Sequence, residues 1–127
     1  MSTTFEEVVK LRKGRYIVLD GHPCRIVDIQ TSAPGKHGHA KARITAVSIF
    51  DGSKHGTVKP SDARVEVPIV DKRQAQVLAV SGKTAQLMDM QTYETFDAEI
   101  PEGMELNAGE TIFYWIIMGK KLLERAD

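Results

Sequence analysis

Between residues 64 and 69, Val65, Val67 and Ile69 alternate with Arg64 and Glu66; between 96 and 100, Phe96, Ala98 and Ile100 alternate with Asp97 and Glu99. A period of two puts the apolar set on one face of an extended strand and the charged set on the other. Further strand-like runs occupy 16–19, 24–29, 41–50, 76–80, 84–88 and 111–118, and residues 120–125 would make a last strand. Turn signals separate them at Asp20-Gly21, Asp51-Gly52, Ser81-Gly82 and Gly119. Glycine supplies the positive φ that a tight connection needs. No long segment keeps a helical period; Phe5, Val8 and Val9 mark one weak helical turn near the start. Many short strands joined by glycine-containing turns predict an all-β chain of small barrels or sandwiches.

Charge changes this picture by dividing the chain. Residues 1–70 carry 11 Lys and Arg against 7 Asp and Glu, a balance of +4; residues 71–127 carry 6 against 10, a balance of −4. The polar run Asp71-Lys72-Arg73 follows a completed strand, and a domain boundary is placed there, giving domains 1–70 and 71–127. A length of 127 residues suits one ordinary domain or two small ones, and each half alone would build only a small core. All four histidines, His22, His37, His39 and His55, lie in the basic half, which points that half toward a polyanion. Cys24, the single cysteine, lies in an apolar run and reads as a small core residue; no internal disulfide or cysteine-rich zinc site can form. The longest apolar run, 112–118, is too short to span a bilayer, and the acidic start has no apolar signal region. A reducing cytoplasm is the expected compartment, without membrane attachment.

The unusual stretch is 31–43, TSAPGKHGHAKAR, between two strand runs. Pro34 blocks a regular ladder hydrogen bond, and Gly35 and Gly38 permit positive φ, so a hairpin loop with Lys36 at its tip is predicted. His37, His39, Lys41 and Arg43 make the loop cationic, a composition suited to phosphate contacts. A phosphate-binding P-loop is excluded: Gln30 stands where its first glycine should be and His37 where its Ser or Thr should be. A metal site at His37 and His39 lacks a nearby carboxylate or thiol. A nucleophilic lysine would need burial to depress its pKa, which a glycine-flanked tip does not offer. From the residues alone, a solvated basic hairpin and a nucleic-acid contact both stay open. The aromatics of the second half, Tyr93, Phe96, Phe113, Tyr114 and Trp115, could stack bases, but alternation sends about half of them inward, and core packing is their expected role.

The run Pro34-Gly35-Lys36-His37-Gly38-His39-Ala40-Lys41 resembles the hypusine loop of the archaeal-type translation initiation factor 5A family. The resemblance extends to Gly21-His22-Pro23-Cys24-Arg25-Ile26, Ile49-Phe50-Asp51-Gly52, Val65-Glu66-Val67-Pro68 and Leu87-Met88-Asp89-Met90-Gln91-Thr92-Tyr93-Glu94, covering nearly the whole chain in order. It implies an N-terminal SH3-like barrel with the hypusine loop, then a C-terminal OB-fold barrel. It implies a non-enzymatic factor that binds the ribosome beside the P-site tRNA and assists slow peptide bonds, notably at proline runs. Lys36 would be the residue modified to deoxyhypusine or hypusine, by a deoxyhypusine synthase that uses NAD and spermidine; the factor itself needs no cofactor. Gly35, His37, Gly38, His39, Lys41 and Arg43 would complete the tRNA- or rRNA-facing loop. Many relatives carry a lysine where this chain has Ala33, which would remove one phosphate contact. The short C-terminus, like Pro34, looks archaeal. The alternative is a general RNA-binding module with an unmodified basic hairpin.

Overall fold

The computed structural model describes residues 2–32 and 40–124. The chain divides into two compact units, Met1–Ile69 and Val70–Asp127. Apart from one 3-10 turn at Val8–Lys10, the regular structure is all β.

In the first unit, β2 (Tyr16–Leu19), β3 (His22–Ser32), β4 (Lys41–Ser48) and β5 (Lys54–Pro60) form one antiparallel sheet in chain order. Strands β1 (Thr3–Glu7) and β6 (Arg64–Pro68) pair antiparallel as a separate ribbon. The 3-10 turn after β1 is tied down where the Val8 and Val9 amides donate to the carbonyls of Ala63 and Ser61 at 2.9 and 3.1 Å. On β4, Ala42, Ile44 and Ala46 are fully buried while Lys41 and Arg43 are exposed, the period-two pattern of a sheet with one wet face. The core adds Val8, Leu11, Ile17, Cys24, Ile26 and Val65. A bulge between Ile26 and Asp28 turns Ile26 and Ile29 to the same side, three positions apart, and leaves Val27 exposed.

The second unit is a five-stranded antiparallel sheet in the order β11-β10-β7-β8-β9, formed from β7 (Val70–Ser81), β8 (Thr84–Asp89), β9 (Thr95–Glu99), β10 (Thr111–Ile117) and β11 (Lys120–Leu123). Its edge strands β9 and β11 approach one another, so the sheet curls toward closure. The β7–β8 register shifts at a bulge between Val77 and Ala79, and Leu78, next to the buried Val77, is exposed. Ala75, Val77, Ala85, Leu87, Leu106, Tyr114 and Leu123 fill the interior.

The all-β expectation therefore holds, with corrections in detail. Strand β7 begins at Val70, so Asp71, Lys72 and Arg73, at the expected boundary, are themselves paired in a ladder with β10. The 41–50 run stops at Ser48. Strands β1 and β5 went unmarked in the sequence pattern. Of the aromatics, Tyr114 is buried and packs tilted against the half-buried Phe96 with ring centroids 4.8 Å apart, whereas Phe113 and Tyr93 are 51% and 71% exposed.

Candidate functional site

In sequence, Lys36 lies between β3 and β4. Strands β3 and β4 pair out to Ser32↔Lys41, and β4 pairs β5 out to Lys41↔Pro60. Gly35, Lys36, His37, Gly38 and His39 lie outside the described residues. Lys41 and Arg43 are described. Alternation places both on the outward face of β4, in register with Ser32 and Gln30 on one side and Pro60 and Val58 on the other. Two cations thus stand on one exposed face near the start of β4. Cations spaced two residues apart on a strand can meet phosphates without burying either charge.

Two polar constellations of the described residues were not singled out in the sequence. The first joins the β2–β3 turn to the β4–β5 connection. His55 Nδ1 lies 2.7 Å from Asp20 Oδ2, and its Nε2 lies 2.8 Å from Ser53 Oγ. The Ser53 hydroxyl and amide both donate to Asp51 Oδ1, at 2.6 and 2.9 Å. These hydrogen bonds hold the Asp51 carboxyl well below the usual carboxylate range. The His22 ring stacks on His55 with centroids 5.0 Å apart. The Asp, His and Ser types match a hydrolytic triad, but the single serine proton is committed to Asp51. With its proton on Asp51, the Ser53 hydroxyl is not held as a nucleophile toward His55. Among the described residues, no group of three or more His, Cys, Asp or Glu is arranged to hold a metal ion.

The second constellation is a buried carboxylate hub. Asp89 is 2% exposed and accepts from Arg73 Nε at 2.6 Å, Arg73 Nη2 at 3.2 Å, the amides of Gln91 and Thr92 at 2.8 and 2.9 Å, and the Tyr114 hydroxyl. Arg73, above all, keeps its carboxyl far below the usual range against the opposing effect of burial. Burial, reinforced by the hydrogen bond to Asp89, pushes the Tyr114 hydroxyl up to about 12. Arg73 is held firmly charged. Cys24 is fully buried, its thiol donating to the His22 carbonyl at 3.4 Å, and burial raises its pKa; it fits the core role rather than a reactive one.

A family model described as "Translation initiation factor 5A-like, N-terminal" matches residues 2–63. The chain is 53% identical over 120 residues to translation initiation factor 5A of Thermococcus kodakarensis, covering 90% of this chain and 88% of that protein. It is 47% identical over 129 positions to the Hyperthermus butylicus factor of the same name, covering 98% and 95%. Among solved structures, it is similar to eukaryotic translation initiation factor 5A from Methanococcus jannaschii, with 44% identity, a TM-score of 0.95 and coverage of 98% and 97%. A family protein from Naegleria fowleri gives 30% identity, a TM-score of 0.77 and 98% coverage of each chain.

Proposed function

The chain belongs to the translation initiation factor 5A family, a family of translation factors rather than of enzymes, and from that premise we propose that it acts on the ribosome through a modified Lys36. Lys36 receives an aminobutyl group from spermidine, transferred by a deoxyhypusine synthase, to give deoxyhypusine or hypusine. The SH3-like domain, residues 1–70, presents this side chain toward the acceptor end of the P-site tRNA, and the OB-fold domain, residues 71–127, accompanies it. Gly35 and Gly38 leave room for an enclosing partner, while His37, His39, Lys41 and Arg43 meet tRNA or rRNA phosphates. The factor promotes peptide bonds that form slowly, as in proline runs, and does so in the cytoplasm.

The observation that carries this reading is the glycine-flanked Lys36 in a sequence that leads into two cations, Lys41 and Arg43, on the outward face of β4. The added arm has four methylenes and a second amine. Burying the methylenes contributes up to about 3 kcal/mol. A charge-assisted hydrogen bond to phosphate contributes about 1.5–3 kcal/mol. The two are comparable, so the modified side chain acts through reach and charge together, by positioning the tRNA end rather than by moving protons.

The test is synthesis of a proline-run reporter in a reconstituted system with factor carrying the native modification. Wild type is expected to restore synthesis. Lys36→Arg, which keeps the charge but accepts no aminobutyl group, is expected to give the level seen without factor. Equal rescue by Lys36→Arg overturns the proposal and favours the unmodified RNA-binding module.

A further inference from the structure

An open groove of about 850 Å³ lies in the second unit, walled by Ile112 and Phe113 of β10, by Met90 in the β8–β9 connection, and by Met104 and Leu106. Phe113 is 51% exposed and Met90 41%. Large apolar side chains left open beside a concave surface mark a place where another molecule seats. The two are anchored to one backbone position: Phe113 is in register with Gln74, and the Met90 amide donates to the Gln74 carbonyl at 3.0 Å. Beneath Met90, the Asp89 hub fixes the connection through the Gln91 and Thr92 amides, so the wall is formed before anything binds.

The rim decides the occupant. Glu105, Glu110 and Glu124 line the groove, and so do Lys72 and Arg73. Both cations are engaged: Arg73 with Asp89 and Asp71, and Lys72 with Glu124 at 3.8 Å and with the Trp115 ring at 4.7 Å. Glu105 is exposed, and Glu110 accepts from the Asn107 side-chain amide at 3.0 Å while remaining a carboxylate at the rim. The unit's own charge is −4. A nucleic acid would meet repulsion here. A second copy docking groove to groove about a two-fold axis would set like charges against each other. We propose that this groove docks an extended cationic segment of another protein, with an apolar side chain against Phe113 and Met90 and lysines or arginines facing Glu105 and Glu110. This surface belongs to the second unit, and its test does not depend on Lys36.

The experiment is a titration of the full isotope-labelled chain, followed by NMR, with a ten-residue peptide of alternating lysine and leucine. Shifts confined to residues 72–74, 90–91 and 104–113 are expected. Affinity should fall at least about 10-fold in Phe113→Ser, since a central aromatic anchor dominates such contacts. It should fall by about 10-fold when Glu105→Lys and Glu110→Lys are combined, and should weaken further with added salt. Both variants alter exposed or rim positions, and an otherwise unchanged spectrum verifies their fold. Absent or scattered shifts overturn the proposal, as does equal binding of a glutamate–leucine peptide. Stronger shifts of the same residues by oligouridylate overturn it in favour of RNA. Concentration-dependent shifts without peptide overturn it in favour of a second copy.

Discussion

Asp89 is the residue whose removal should cost the second unit most. Without its carboxylate, the part-buried Arg73 guanidinium and the buried Tyr114 hydroxyl both lose their principal acceptor. Breaking a buried ion pair from one side costs about 3 kcal/mol or more, so Asp89→Ala should lower stability by about that amount. Urea unfolding followed by fluorescence of Trp115, the single tryptophan, reads this unit directly. The same hub sets a pH dependence at both ends. The Asp89 pKa is depressed in the fold, so its contribution is full above the ordinary value of 3.8 and drains as pH falls below it. The Tyr114 pKa is raised to about 12, so its contribution is full below the ordinary 10.0 and is lost as pH climbs from there toward 12. Tyr114→Phe should cost about 1 kcal/mol at neutral pH and remove the alkaline loss attributable to this hydroxyl; an unchanged alkaline limb would refute its role. None of this was legible beforehand. Asp89 reads as one more carboxylate at a strand end. Its partners stand 16 and 25 positions away, and only the registers Ala75↔Asp89 and Tyr114↔Arg73 bring them together.

At the level of elements, the tight hairpins show how far local sequence reaches. Leu19↔His22 and Ile117↔Lys120 each close a two-residue turn with both φ positive: Asp20 at 52° and Gly21 at 78°, then Met118 at 49° and Gly119 at 79°. Asp-Gly is among the preferred pairs for this geometry, whereas methionine has no side-chain hydrogen bond to offset the left-handed conformation. Met118→Asn should therefore stabilise the β10–β11 hairpin by about 0.5–1 kcal/mol, read from the urea midpoint at Trp115. Gly119→Ala should cost about 1 kcal/mol although its added methyl would meet nothing within 4 Å, because the penalty is conformational rather than steric. An unaffected midpoint in both would mean that the turn does not limit stability. The same local logic explains which strands could be read. β9 alternates as read, and β6 does so through Val67, but Pro68 is buried and Ile69 is 44% exposed, so the expected third apolar position fails. In β5 the less exposed positions include His55 and Thr57, and Gly56 and Pro60 interrupt the run, so no apolar period exists to find. The start of β7 carries no strand signal in the sequence because Asp71 and Lys72 are exposed and the next partly buried residue is Arg73, a charge paired there with Asp89 and Asp71. The bulge at Val27 shifts the phase of β3, so that Ile29 rather than Asp28 follows Ile26 onto the core, which no period-two reading anticipates.

For the whole molecule, the informative quantity is the charge that net neutrality hides: +4 in residues 1–70 against −4 in residues 71–127. A uniform field would not distinguish the two halves; the asymmetry is what the proposed function draws on in turning the first half toward a polyanion. The loop motif is wholly a reading of the sequence, since Gly35 to His39 lie outside the described residues. What the structure contributes is the stem, and it does so at two named positions. Lys41 and Arg43 are exposed on one face while Ala42 and Ile44 between and beyond them fill the core. Their charges can be removed without opening a cavity. If each neutralises one phosphate, replacing both by glutamine should weaken binding to ribosomes and make its dependence on log salt shallower by about two units, using the slope for a structured polyanion. The Trp115 unfolding midpoint should stay within about 0.5 kcal/mol of wild type, because both changes are on the surface of the other unit. Sedimentation with ribosomes across a salt series separates the possibilities. A parallel line at lower affinity would mean that the two residues act through something other than phosphate. An unmoved line would confine the contact to the residues around Lys36.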